Sequence, residues 1–73
     1  MSRIRLLSSV ALIEDLPTQN LTKGQIGTVV EYLERQEEEA LLVEFADDQG
    51  RTYAMVDLKP EQVIVLHRQI EAA

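Results

Sequence analysis

Apolar and polar side chains alternate with a period of two along most of this chain, the spacing of a half-buried β-strand. Residues 40–46 put Leu41, Val43 and Phe45 on one side and Leu42, Glu44 and Ala46 on the other. Residues 52–58 alternate in the same way, with Thr52, Ala54, Val56 and Leu58 toward a core and Tyr53, Met55 and Asp57 toward water. Three further runs, at 9–14, 25–33 and 63–66, are short and aliphatic, and the second is rich in β-branched residues. The pattern predicts five strands.

The breaks between them are marked by the few glycines and prolines. Residues 15–24 form the longest connection: Leu16-Pro17 sets an extended start, and Gly24 supplies a positive-φ position where the chain reverses. Asp47-Asp48-Gln49-Gly50 reads as a hairpin, its Asx side chains bonding nearby backbone and Gly50 taking the left-handed position. Lys59-Pro60-Glu61-Gln62 reads as a short 3-10 turn before the last strand. Gly27 lies inside a strand, where a missing side chain marks a bend, a bulge or a close backbone approach. Five short strands cannot cover two faces of an open sheet. The expected fold is all-β: a strongly bent, five-stranded antiparallel sheet rolled into a small barrel.

Residues 31–42 offer a competing pattern, because Glu, Leu, Arg, Gln and Ala are good helix formers. A helix must bury a stripe, however, and the polar run from Glu34 to Glu39 spans more than a helical turn and leaves no face apolar. Strand, charged bend and strand is the better reading.

Length and composition then limit what such a fold can do. The chain has 73 residues, enough for one domain with a thin core, divided here into an extension (1–8), a barrel (9–66) and a polar tail (67–73) expected to fray. It has no cysteine, which excludes disulfides, thiolate metal sites and cysteine nucleophiles. Arg3 and Arg5 precede an apolar octet from Leu6 to Ile13, as in an export signal. Ser8 and Ser9 interrupt that octet and Glu14-Asp15 ends it, so it reads as the first strand and the expected location is cytoplasmic.

Net charge is −6, and eight of the thirteen acidic residues lie between Glu31 and Asp48, opposed only by Arg35. Such a field repels phosphate backbones and anionic lipid and favours basic surfaces, unless the run is merely a solubilising loop. Catalytic equipment is sparse. His67 is the single histidine, the acidic run lacks the alternating Asp/Asn-Gly loop of a calcium site, and Asp47-Asp48 are adjacent in a turn where water surrounds both. The expectation is a non-enzyme with no cofactor and no metal. Candidate partner-binding residues are Glu34, Glu37, Glu38 and Glu39 of the charged bend, Leu33 and Leu42 on its outward register, and Tyr53 with Met55 on the fourth strand. Gly24, Gly27 and Gly50 are expected to serve turns and bends. Tyr32 and Tyr53 are alternatively a cross-strand pair on the outer edge.

The segments Val10-Ala-Leu-Ile-Glu-Asp-Leu-Pro17, Leu21-x-Lys-Gly-Gln-Ile-Gly-Thr-Val-Val-Glu31, Leu42-Val-Glu-Phe45 and Asp48-x-Gly-Arg-Thr52 together resemble a group of short bacterial proteins, frequent in cyanobacteria, classed as a domain of unknown function. That resemblance spans residues 10–65 and implies an SH3-like small barrel with no known catalytic residue. Some members are encoded beside small toxin-like proteins, which implies an antitoxin or immunity role. Lys23-Gly-x-x-Gly-Thr-Val is similar to the glycine loop of barrels in ribosomal proteins, elongation factors and the nitrile hydratase β-subunit. The leading expectation is therefore a protein–protein interaction module whose acidic hairpin contacts a basic partner, with homo-oligomerisation open. A nucleic-acid-binding barrel and an accessory subunit of a larger complex are the alternatives, the former opposed by the scarcity of Lys and Arg.

Overall fold

The computed structural model describes residues 4–67; the polar tail beyond His67 and the first three residues lie outside that span. Five strands form one antiparallel sheet: β1 (Ser9–Leu12), β2 (Ile26–Arg35), β3 (Glu38–Ala46), β4 (Thr52–Leu58) and β5 (Val63–Leu66), in the order β4-β3-β2-β1-β5. A 3-10 turn at Pro60–Gln62 precedes β5, as the Lys-Pro-Glu-Gln run predicts. Gln62 holds it by accepting the Lys59 N–H on Oε1 at 2.8 Å and donating its own N–H to the Lys59 carbonyl at 2.9 Å.

One face of the sheet carries almost the entire core. Val10 and Leu12 of β1, Val29 of β2, Leu41, Val43 and Phe45 of β3, Val56 and Leu58 of β4 and Val63 of β5 are each 8% exposed or less. Among the described residues no second sheet or α-helix covers them, so a flat sheet would leave most of this face wet; their burial requires the sheet to bend around its own apolar side. The described residues bury no polar or charged side chain, so the core needs no internal hydrogen-bond partners. The long connection adds Leu21, 1% exposed, held by reciprocal backbone bonds with Leu16 and followed by Gly24, whose N–H reaches the Leu12 carbonyl at 2.8 Å. The sequence pattern anticipated neither Leu21 in the core nor the 3-10 turn at Pro17–Gln19 within that connection.

Gly27 stands where β2 crosses closest to β3. A Cβ there would lie 2.6 Å from Val43 Cγ1, 2.9 Å from the Glu44 carbonyl and 3.0 Å from Phe45 Cδ1, distances that van der Waals radii forbid. Gly24 and Gly50 serve differently: both have open space, and their φ values of +93° and +79° are what the turns require.

Two bulges revise the simple alternation. Val29 pairs with Val43 and Glu31 with Leu42, which leaves Val30 without a partner across the ladder. Past that point the faces exchange, so Tyr32 sits opposite Leu41 on the core side and packs against the core, while Leu33 turns outward. In β4, Phe45 pairs with Ala54 but Ala46 with Thr52, so Tyr53 is the extra residue. Thr52, expected in the core, is exposed instead and donates its hydroxyl to Glu44 Oε2 at 2.7 Å.

The charged bend is far tighter than its sequence suggests. The strands run through Glu34 and Arg35 on one side and Glu38 and Glu39 on the other, leaving only Gln36 and Glu37 as the turn, with φ of +52° and +68°. Positive φ at both central positions marks a type I′ turn, which Asn-Gly fills best; a residue with a Cβ costs roughly 1–2 kcal/mol there.

Two stability changes follow. Gly27→Ala is expected to lower unfolding free energy by about 2–3 kcal/mol in urea titration, because the clash is with β3 backbone and buried side chains. The pair Gln36→Asn with Glu37→Gly is expected to raise it by about 1 kcal/mol or more.

Candidate functional site

The ladders show why the acidic segment stands apart from the core. β1 pairs with β2 only from Ile26 to Thr28, and β4 pairs with β3 only from Leu41 to Ala46. Between Leu33 and Ala40 the β2–β3 ribbon therefore has two strands and no third in the named ladders. This ribbon carries Glu34, Glu37, Glu38 and Glu39, all exposed. Glu34 lies directly opposite Glu39, a like-charge cross-strand pair that costs roughly 0.2–1 kcal/mol.

The outer face of the arm is mixed. Leu33 sits across from Ala40 and Leu42 across from Glu31, and both leucines are half-buried. In the next strand Asp57 faces Leu42 and Met55 faces Glu44, so Leu33, Leu42 and Met55 share this face with carboxylates between them. Beside the arm lies a groove of about 200 Å³ lined by Glu38, Glu39, Asp57 and Lys59 together with Gln62 and the buried Ala40 and Leu58. The three carboxylates come from two strands, so their meeting at one groove is a product of the β3–β4 pairing.

Tyr53 does not join that face. As the extra residue of the β4 bulge it lies with its ring centroid 6.5 Å from that of the fully buried Phe45, and its hydroxyl accepts a hydrogen bond from Gln25 Nε2 at 3.0 Å. Gln25 is itself fixed, accepting the Thr22 N–H on Oε1 at 2.6 Å. Tyr53 thus ties β4 to the approach to β2 and caps the core at Phe45. Tyr32 is placed elsewhere, donating its hydroxyl to the Ile4 carbonyl at 2.7 Å and anchoring the N-terminal segment. The expected Tyr32–Tyr53 pair is therefore corrected: β3 lies between their strands, and each ring has a different partner. The role of Gln25 had no signal in the sequence, since its target is 28 residues away.

Asp47 is committed to structure. Its Oδ1 accepts the backbone N–H groups of Gln49 and Arg51, both at 2.9 Å, and Oδ2 accepts Arg51 Nε at 3.1 Å. The Arg51 backbone N–H, followed by the other two donors, holds its carboxyl below the usual range, since each favours the ionised form. Gly50 closes the same turn with its N–H on the Asp47 carbonyl at 2.9 Å.

Among the described residues, no three metal-ligating side chains converge and no helix is long and apolar enough to cross a membrane. The family model described as Domain of unknown function (DUF4926) matches residues 6–65. No curated protein and no solved structure matches the chain.

A depressed folded-state pKa means that the Asp47 contribution is present above the unfolded carboxylate value and is lost as pH falls through the folded one. Acid titration followed by circular dichroism is expected to show that loss in the parent chain, with Asp47→Asn reducing the pH dependence in that window.

Proposed function

The chain belongs to the DUF4926 family, and we propose that it acts as a non-enzymatic protein-binding module whose β2–β3 arm docks on a basic protein surface. The supporting observation is the placement of four exposed glutamates on a two-stranded overhang, with Glu34 and Glu39 held face to face. Four carboxylates concentrated on one narrow ribbon set up a negative field that attracts a cationic partner.

The groove beside the arm suits the same partner. Its apolar lining suits the aliphatic stem of a Lys or Arg, and its three carboxylates, which outnumber the one lysine there, suit the cationic head. Leu33, Leu42 and Met55 extend an apolar contact next to the charged one, the combination that gives an interface both steering and burial. The same field works against a phosphate backbone as ligand.

Affinity capture from an extract of the native host, with the chain as bait, is the test. A basic protein is expected at low salt, released as ionic strength rises, and missing from a bait carrying Glu37→Lys, Glu38→Lys and Glu39→Lys. Glu34→Lys separates binding from folding, because it replaces the like-charge pair with an opposite-charge one: stability is expected to rise by up to about 1 kcal/mol while capture falls. If the parent and charge-reversed baits recover the same proteins, the proposal fails.

A further inference from the structure

The charge on this chain is unevenly placed: β1 and β5, the strands farthest from the acidic arm, carry none along their length, and Glu14 and Glu61 stand only at their ends. On the outer face, Ile26, Ala11 and Ile64 form one cross-strand row through β2, β1 and β5, and Thr28, Ser9 and Leu66 form the next. No charged side chain interrupts either row. Ile26 is 56% exposed, Ile64 55% and Leu66 39%, and Ile13 at the end of β1 extends the patch.

The edge of the sheet beside this patch is equally bare. Sheet edges are ordinarily blunted by charges, prolines or bulges. The β4 edge has two of these, Asp57 and the Tyr53 bulge, whereas β5 reads Val-Ile-Val-Leu with none. The direction of its free groups follows from the ladder. Ile13 donates to the Gln62 carbonyl at 3.0 Å, which sets the alternation, so Ile64 and Leu66 turn their backbone groups to β1 and Val65 turns its N–H and C=O outward. The Val63 N–H is already used by the Pro60 carbonyl, which leaves its C=O on the free side.

We infer that β5 pairs antiparallel with β5 of a second copy, joining two sheets across a two-fold axis at Val65. Parity allows only a centre on a residue, not between residues, because only that keeps the two outer faces on the same side; a centre on Val65 in addition uses both of its outward groups and sets Ile64 opposite Leu66. Val65 then exchanges both backbone bonds with Val65 of the second copy, and each His67 N–H meets the opposite Val63 carbonyl. Ile64 packs against Leu66 of the second copy, as a closely spaced non-hydrogen-bonded pair. A second copy is the occupant that fits because the strand residues of β1 and β5 are uncharged on a chain of net charge −6: a basic partner is drawn to the arm, while self-association is best tolerated where the facing strands carry no carboxylate. The symmetry also makes the free donors and acceptors complementary without any further requirement. The dimer presents two acidic arms and raises avidity for a repeated or extended basic surface.

Sedimentation equilibrium of the 73-residue chain from about 10 µM to about 1 mM, the range of weak interfaces, is expected to move from one chain mass toward two. The Ile64→Lys, Leu66→Lys double variant changes only exposed side chains and is expected to keep its thermal midpoint while dimerising at least tenfold more weakly. Should that variant not fold, amide exchange in the parent chain carries the test: Val65 is expected to slow as concentration rises. Added salt is expected to tighten this dimer by screening the net charge, opposite to its effect on the arm and its basic partner. A single chain mass throughout, protection of Val65 independent of concentration (a segment of the same chain covering the edge), unchanged dimerisation in a folded double variant, or weakening by salt would each overturn the inference.

Discussion

A single sheet has to hide one apolar face with no second sheet or α-helix among the described residues to cover it and only Leu21 and its connection to help, and the rest of the structure depends on how this is done. Val10, Val29, Val43 and Phe45 are fully buried although the described residues include no α-helix to cover them. The solution is curvature, which brings strands from both ends of the chain around one set of side chains. Gly27 is a point with little slack, because β2 approaches β3 so closely that a methyl group has no room. The Val30 and Tyr53 bulges accompany the bending, and each reassigns a side chain: Tyr32 moves to the core side and Tyr53 to the rim above Phe45.

Curling also explains why the acidic residues are gathered where they are. Only the ends of long strands can carry a run of carboxylates without bringing them near the core, and β2 and β3, at ten and nine residues, are the longest strands. Their excess length projects as a ribbon beyond the reach of β1 and β4. The turn at its tip keeps Gln36 and Glu37 in positive φ where Asn and Gly are easier, and Glu34 is kept opposite Glu39. Both choices work against stability, and both keep negative charge on the arm. Departures of this kind are the usual mark of a surface shaped by something other than folding. The uncharged strands β1 and β5 complete the picture, since one small chain places its carboxylate-rich ribbon and its uncharged strands in different parts of one sheet.

Strand number, the Asp47 turn, the 3-10 turn before β5 and the strand-rather-than-helix reading of residues 31–42 were all legible along the chain. They follow from local rules: a period of two for strands, proline and glycine at breaks, and the inability of six consecutive polar residues to leave a helical face apolar. Gly27 was legible as a close approach, though its contacts with Val43 and Phe45 were not. The outward placement of Leu33, Leu42 and Met55 was also anticipated, while the extent of the arm was underestimated, because a charged run looks like a loop when pairing is unknown.

What the amino-acid order determined by itself was the set of strands, the apolar side of most of them and the concentration of negative charge between Glu31 and Asp48. Tertiary structure alone decided which strand ends overhang, where the bulges exchange faces, that Gln25 meets Tyr53, and that Glu38, Glu39 and Asp57 line one groove. The division has a physical cause. Periodicity reports the preference of each residue for water or core, which is local; register, bulge position and contacts across 28 residues depend on how all five strands pair and bend together.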